Sequence, residues 1–129
     1  MIQKPHAISL MLCDRVVFEQ GSQKPFLLGI FTGMAVEGFP SGPQTLDVFA
    51  ALTDGLGDGT IQLSVTELAT DEEIYVQTAE LRFPDPLRVV NLCLRVRSLW
   101  FAVPGEYLFT LSVDGEEIAT RRVRVYSST

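Results

Sequence analysis

Residues 101–115, Phe101-Ala-Val-Pro104-Gly105-Glu106-Tyr107-Leu-Phe109-Thr-Leu111-Ser-Val113-Asp114-Gly115, constrain the fold more than any other stretch of the chain. The Pro-Gly pair stops one element. Tyr107, Phe109, Leu111 and Val113 then alternate with Leu108, Thr110, Ser112 and Asp114. That period of two belongs to a strand with one buried face. Asp114-Gly115 supplies the two positive-φ residues of a tight hairpin turn, so the chain must reverse there.

The same grammar runs through the rest of the sequence. Strand signals recur about every 8–14 residues with turn residues between them, the spacing of a sandwich or barrel. Ile8, Leu10 and Leu12 start the first strand, which extends through Arg15-Val-Val-Phe18. Phe26 to Thr32 is nearly all apolar, and predicts a strand buried on both sides with a bulge or close approach at Gly29. Residues 37–43 form a loop. Gln44 to Thr53 puts Leu46, Val48, Ala50 and Leu52 on one face. Ile61, Leu63 and Val65 mark a further strand, and Ile74 to Phe83 another, stopped by Pro84-Asp-Pro86. Val90, Leu92, Leu94 and Val96 follow, and Glu117 to Tyr126 closes the chain with Val123 and Val125 inward. No segment sustains a 3.6-residue period. The expectation is one all-β domain over 1–129, with eight strands and no helix.

Composition narrows the function classes. With 129 residues, 47% of them hydrophobic, the chain can bury one sizeable core. No apolar run reaches the ~18 residues of a membrane helix, and the start lacks a signal-peptide cleavage site. The reading is a cytoplasmic protein with no membrane partner. The net charge of −6 argues against nucleic acid. Charge is also uneven: residues 1–86 carry a net −8 and residues 87–129 a net +2. Cys13 and Cys93 are too few for a secreted disulfide scaffold and are expected to be free thiols.

Tyr107, just after Pro104-Gly105, resembles the tyrosine corner of immunoglobulin-like sandwiches. The cysteine such domains carry two residues later is replaced by Phe109. Across 8–126 the chain resembles a family of bacterial proteins, a domain of unknown function with an immunoglobulin-like β-sandwich. The resemblance rests on Cys13-Asp14, Leu28-Gly29-Ile30-Phe31, Phe39-Pro40, Pro104-Gly105-Glu106-Tyr107 and Val113-Asp114-Gly115 in that order. It implies two sheets and seven or eight mainly antiparallel strands. It brings no activity and no catalytic residue.

The chemistry-bearing residues are sparse. His6, the one histidine, lies near the terminus, where order is usually poor. One His and two distant Cys do not make a zinc site. Asp54-Gly-Leu-Gly-Asp58-Gly59 offers two carboxylates but misses calcium-loop spacing, and reads as a turn. Asp71-Glu72-Glu73 reads as a solvated turn. Arg95 and Arg97, and Arg122 and Arg124, lie in pairs on one face of their strands, as an anion patch or as guards of strand edges. Trp100 and Phe101 are expected to plug one end of the core rather than form an aromatic platform. Met11, Phe49 and Leu108 fall on outward faces, which implies cover from a second subunit or a long loop.

No catalytic, cofactor-binding or metal-binding residue is assigned. The leading expectation is a non-enzymatic binding or structural module for protein–protein interaction or self-association, with a homodimer as one form. The alternative is a small-ligand or carbohydrate-binding sandwich, with Trp100 or the 37–43 loop lining the site. A flat apolar face favours the first and a concave aromatic pocket the second.

Overall fold

The computed structural model describes residues 3–129, and they form an all-β domain. Nine strands occur among the described residues: β1 (His6–Phe18), β2 (Pro25–Ile30), β3 (Gly33–Val36), β4 (Gln44–Thr53), β5 (Gly57–Glu67), β6 (Glu72–Phe83), β7 (Val90–Leu99), β8 (Gly105–Val113) and β9 (Glu116–Ser127). One sheet has the order β2-β1-β4-β7 and the other β3-β9-β8-β5-β6. Every pairing is antiparallel except β3 with β9, which is parallel.

Alternation produces the core. Leu46, Val48, Ala50 and Leu52 of β4 face Ile61, Leu63 and Val65 of β5 and Phe109 and Leu111 of β8 across the gap between the sheets. Leu10, Leu12, Leu94, Val96, Val123 and Val125 extend this cluster sideways. The 101–115 stretch is as its pattern demands. Tyr107 is fully buried, its ring meets Phe101 edge to face at 4.7 Å, and its hydroxyl donates to the Val103 carbonyl at 2.6 Å. Asp114 and Gly115 both have positive φ. Asp114 Oδ1 also accepts the Thr60 N–H at 2.8 Å, tying the hairpin tip to β5.

Four departures from the sequence pattern have local causes. First, a register shift between Ala7 and Ser9 turns Ile8 out to solvent and sets Ala7 against the core. Second, the 26–32 run is not buried on both sides. It is the edge strand β2, with Phe26, Leu28 and Ile30 each about half-exposed. An apolar run shows that one face can be buried; it does not show that both are. Third, β3 is a strand of four residues that the pattern between Thr32 and Glu37 does not announce, and it takes the count to nine. Fourth, Asp58, Glu72 and Glu73 stand in strands β5 and β6 rather than in turns.

Two substitutions test this packing. Tyr107→Phe removes one buried hydrogen bond and is expected to lower unfolding free energy by about 1 kcal/mol, read from the urea midpoint. Gly55→Ala would bring a Cβ to 2.6 Å from the buried Phe83 ring. Overpacking of this kind costs about 1–3 kcal/mol, so its melting temperature should fall clearly below wild type.

Candidate interaction surface

β1 runs beside β4 from His6 to Cys13, where Cys13 pairs with Asp47. Beyond Cys13 it pairs only with β2. At that point Gly29 lies across from Asp14 with φ of +70°, and a Cβ there would collide with the Asp14 carboxylate. Glycine is therefore the residue that lets the two-stranded ribbon bend. The ribbon turns back as an arm over the outer face of the four-stranded sheet. Its Val16 and Leu27 pack on Cys13, Phe49, Ala51 and Cys93, a second apolar cluster on the side of the sheet away from the main core. Phe18 and Gln23, at the arm's tip, border one hollow of about 390 Å³ together with Arg82, Arg88, Val90 and Asn91.

A partly buried ion pair fastens the arm. Asp47, 2% exposed, points out of the sheet beneath it. Its Oδ2 accepts the Val16 N–H at 2.8 Å and Arg95 Nη2 at 3.2 Å. Arg95 Nε stands 3.1 Å from Oδ1. Oδ1 has no aligned donor among the described residues, so that second contact is Coulombic. The pair thus joins β1, β4 and β7 on one side of the sheet. A carboxylate in this position reads from sequence as an ordinary outward residue, and nothing in the local pattern signals its burial.

The two thiols lie in the same cluster and are unpaired. β4 separates their strands, so their Cα atoms are about 10 Å apart, beyond disulfide reach. Burial raises both thiols, with Asp47 adding to the effect, and Cys93 reaches about 11.

The arm's other face is open. Val17 pairs with Phe26, Arg15 with Leu28 and Cys13 with Ile30. Val17, Phe26, Leu28 and Ile30 are all exposed. This apolar row replaces the one expected from Met11, Phe49 and Leu108. Phe49 is 6% exposed, covered by the chain's own arm. Met11 is half-buried and receives Arg121 Nη2 at 3.7 Å, and Leu108 is half-buried on β8. Arg121, which the sequence did not single out, also donates from Nε to the Leu10 carbonyl at 2.7 Å and ties β9 to the opposite sheet.

The remaining candidates are scattered. His6 opens β1, paired with Thr53. Asp54 bends the chain with φ of +65°, while Asp58 sits across from Arg82. No group of three or more His, Cys, Asp or Glu suited to a metal occurs among the described residues. Arg97 is on β7 and Arg122 and Arg124 are on β9, in different sheets, so the four arginines make no single patch. Phe101 plugs the core end, clipped to Ser41 by its N–H to Oγ at 2.9 Å and its carbonyl from the Ser41 N–H at 2.8 Å. Trp100 does not join it and is 55% exposed. The 37–43 loop borders a hollow of about 540 Å³ whose lining includes Glu37, Phe39 and Gln44 but not Trp100. No helix among the described residues is long and apolar enough to cross a membrane.

A family model covers residues 8–126, nearly the whole domain. The chain belongs to DUF6941, a family of unknown function. No protein with a curated description matches it.

Removing one partner of an ion pair leaves the other charged and unpaired. Because Arg95 is about a third exposed and can return to water, Asp47→Ala should cost about 1–3 kcal/mol, chiefly from the Val16 N–H left unpaired, and speed amide exchange in 14–30 before the rest of the domain. The cysteines give a pH dependence. The fold favours protonated Cys93, so its contribution is complete below the ordinary value of 9.0 and is lost as pH rises through about 11. Between pH 9 and 11, wild type should lose more stability than Cys93→Ala in parallel urea titrations.

Proposed function

We propose that this chain is a non-enzymatic interaction module of a bacterial cytoplasm, built as an immunoglobulin-like sandwich. What supports the immunoglobulin-like assignment is strand order. β9-β8-β5-β6 follows the G-F-C-C′ sequence of such domains, and β1-β4-β7 follows A-B-E. The parallel β3–β9 pair fits a first strand that switches sheets, and Tyr107 lies at the start of the strand matching F. The inter-sheet disulfide is replaced by apolar packing at Phe109. Two unpaired thiols suit a reducing compartment.

The observation that carries the interaction reading is the exposed apolar row on the arm. Val17, Phe26, Leu28 and Ile30 occupy neighbouring cross-strand positions and stand about half-exposed. Contiguous exposure of this kind marks a contact surface more often than chance exposure does. The ligand-binding alternative draws on the hollow at the arm's tip, where Arg82, Arg88, Gln23 and Asn91 would suit a small anion.

Capture from extracts of cells that express the chain separates these readings. Wild type should retain a defined set of proteins that Phe26→Glu/Leu28→Glu loses, while Arg82→Ala/Arg88→Ala retains it. The same set on wild type and on the arm variant, with both folded by circular dichroism, overturns the interaction reading.

A further inference from the structure

The four strand edges of the sandwich are not alike. β6 carries Glu72, Glu73, Glu80 and Arg82, and β7 carries Arg95 and Arg97. β3 has four residues. Charge and brevity are the ordinary guards of an edge. β2 has no charged residue over Pro25–Ile30, and its outer backbone row is unpaired. It is also the strand that exposes Phe26, Leu28 and Ile30.

We infer that the arm is a self-association surface, on which a second copy of this chain docks its own arm antiparallel about a twofold axis close to Leu28. This rests on the interaction reading and names its partner. Two quantities favour a second copy. One is area. Val17, Phe26, Leu28 and Ile30, each about half-exposed, present roughly 350 Å² per protomer. Two arms and their flanking polar residues then reach about 1,200 Å², the lower bound of a standard specific interface. The other is charge. The chain carries −6, so like copies repel over most of their surface. Between residues 14 and 30 the charges are Asp14, Arg15, Glu19 and Lys24, with no net charge. Each end of the ribbon holds one charge of each sign. Arg15, across from Leu28, has Asp14 beside it, so two copies meeting at the arm face no net charge there. A twofold contact of this kind also closes on itself and leaves no edge to propagate.

Light scattering over a dilution series from high to low micromolar concentration tests this. Wild type should show twice the mass of one chain at the upper end, and Leu28→Glu the mass of one chain throughout, a shift of at least about tenfold in the dissociation constant. Leu28→Cys should cross-link to a dimer under mild oxidation, because a residue near the axis meets its own copy. Val76→Cys, exposed on β6 of the opposite sheet, should not. Wild type of one-chain mass at every concentration overturns the second-copy inference, and the capture experiment still decides the wider reading. A dimer that persists in Leu28→Glu, or an assembly larger than two, overturns it as well.

Discussion

A carboxylate buried on the outer side of a sheet organises much of this molecule. Asp47 is an unfavourable residue to take out of water unless its oxygens find donors. The donors come from two directions. Arg95 reaches across from β7, and the Val16 amide arrives from the arm overhead. The second requirement is geometric, because a backbone N–H is presented only if the ribbon bends back over the sheet. The bend then buries Phe49, Cys13 and much of Cys93, and raises both thiols in the same step. One charge placement thus accounts for the fold of the arm and for the second core. A partly buried ion pair adds little net stability over an apolar substitute, so its value here lies in specifying where the arm rests.

The main core depends on a different and more legible physics. Period-two alternation in β4, β5, β8 and β9 fixes which side chains meet, and those residues were readable from the sequence. The Asp114-Gly115 turn and the Tyr107 corner were readable too, because each needs a residue type few positions can replace. These features are local, so the information sits in consecutive residues.

What the sequence concealed is long-range. Phe49 was assigned outward correctly with respect to the main core, yet it is buried, because the cover comes from a segment twenty to thirty-odd residues earlier. The apolar run 26–32 reads as doubly buried, since nothing local separates a central strand from an edge strand that lends one face to a second core. Ile8 broke alternation through a register shift that changes no residue type. Trp100 and Phe101 are adjacent aromatics with opposite fates, decided by the Ser41 clip on Phe101. The exposed apolar row lies on Val17, Phe26, Leu28 and Ile30 rather than on Met11, Phe49 and Leu108 for these same reasons.

The arm's two faces follow from one constraint. A two-stranded ribbon is at best marginally stable alone and needs an apolar face against something. Val16 and Leu27 meet that need on the sheet side. Alternation across both strands then sends their neighbours Val17, Phe26 and Leu28 the other way. A ribbon that required cover on one side alone would carry polar residues there, as the outer face of β5 does with Gln62, Ser64 and Thr66. The arm carries aliphatic and aromatic residues instead, in a chain whose other exposed strand edges are short or charged. Solvent exposure of this row is unfavourable in the isolated chain. Its presence beside an otherwise guarded sandwich is what folding alone does not explain, and what the proposed association would cover.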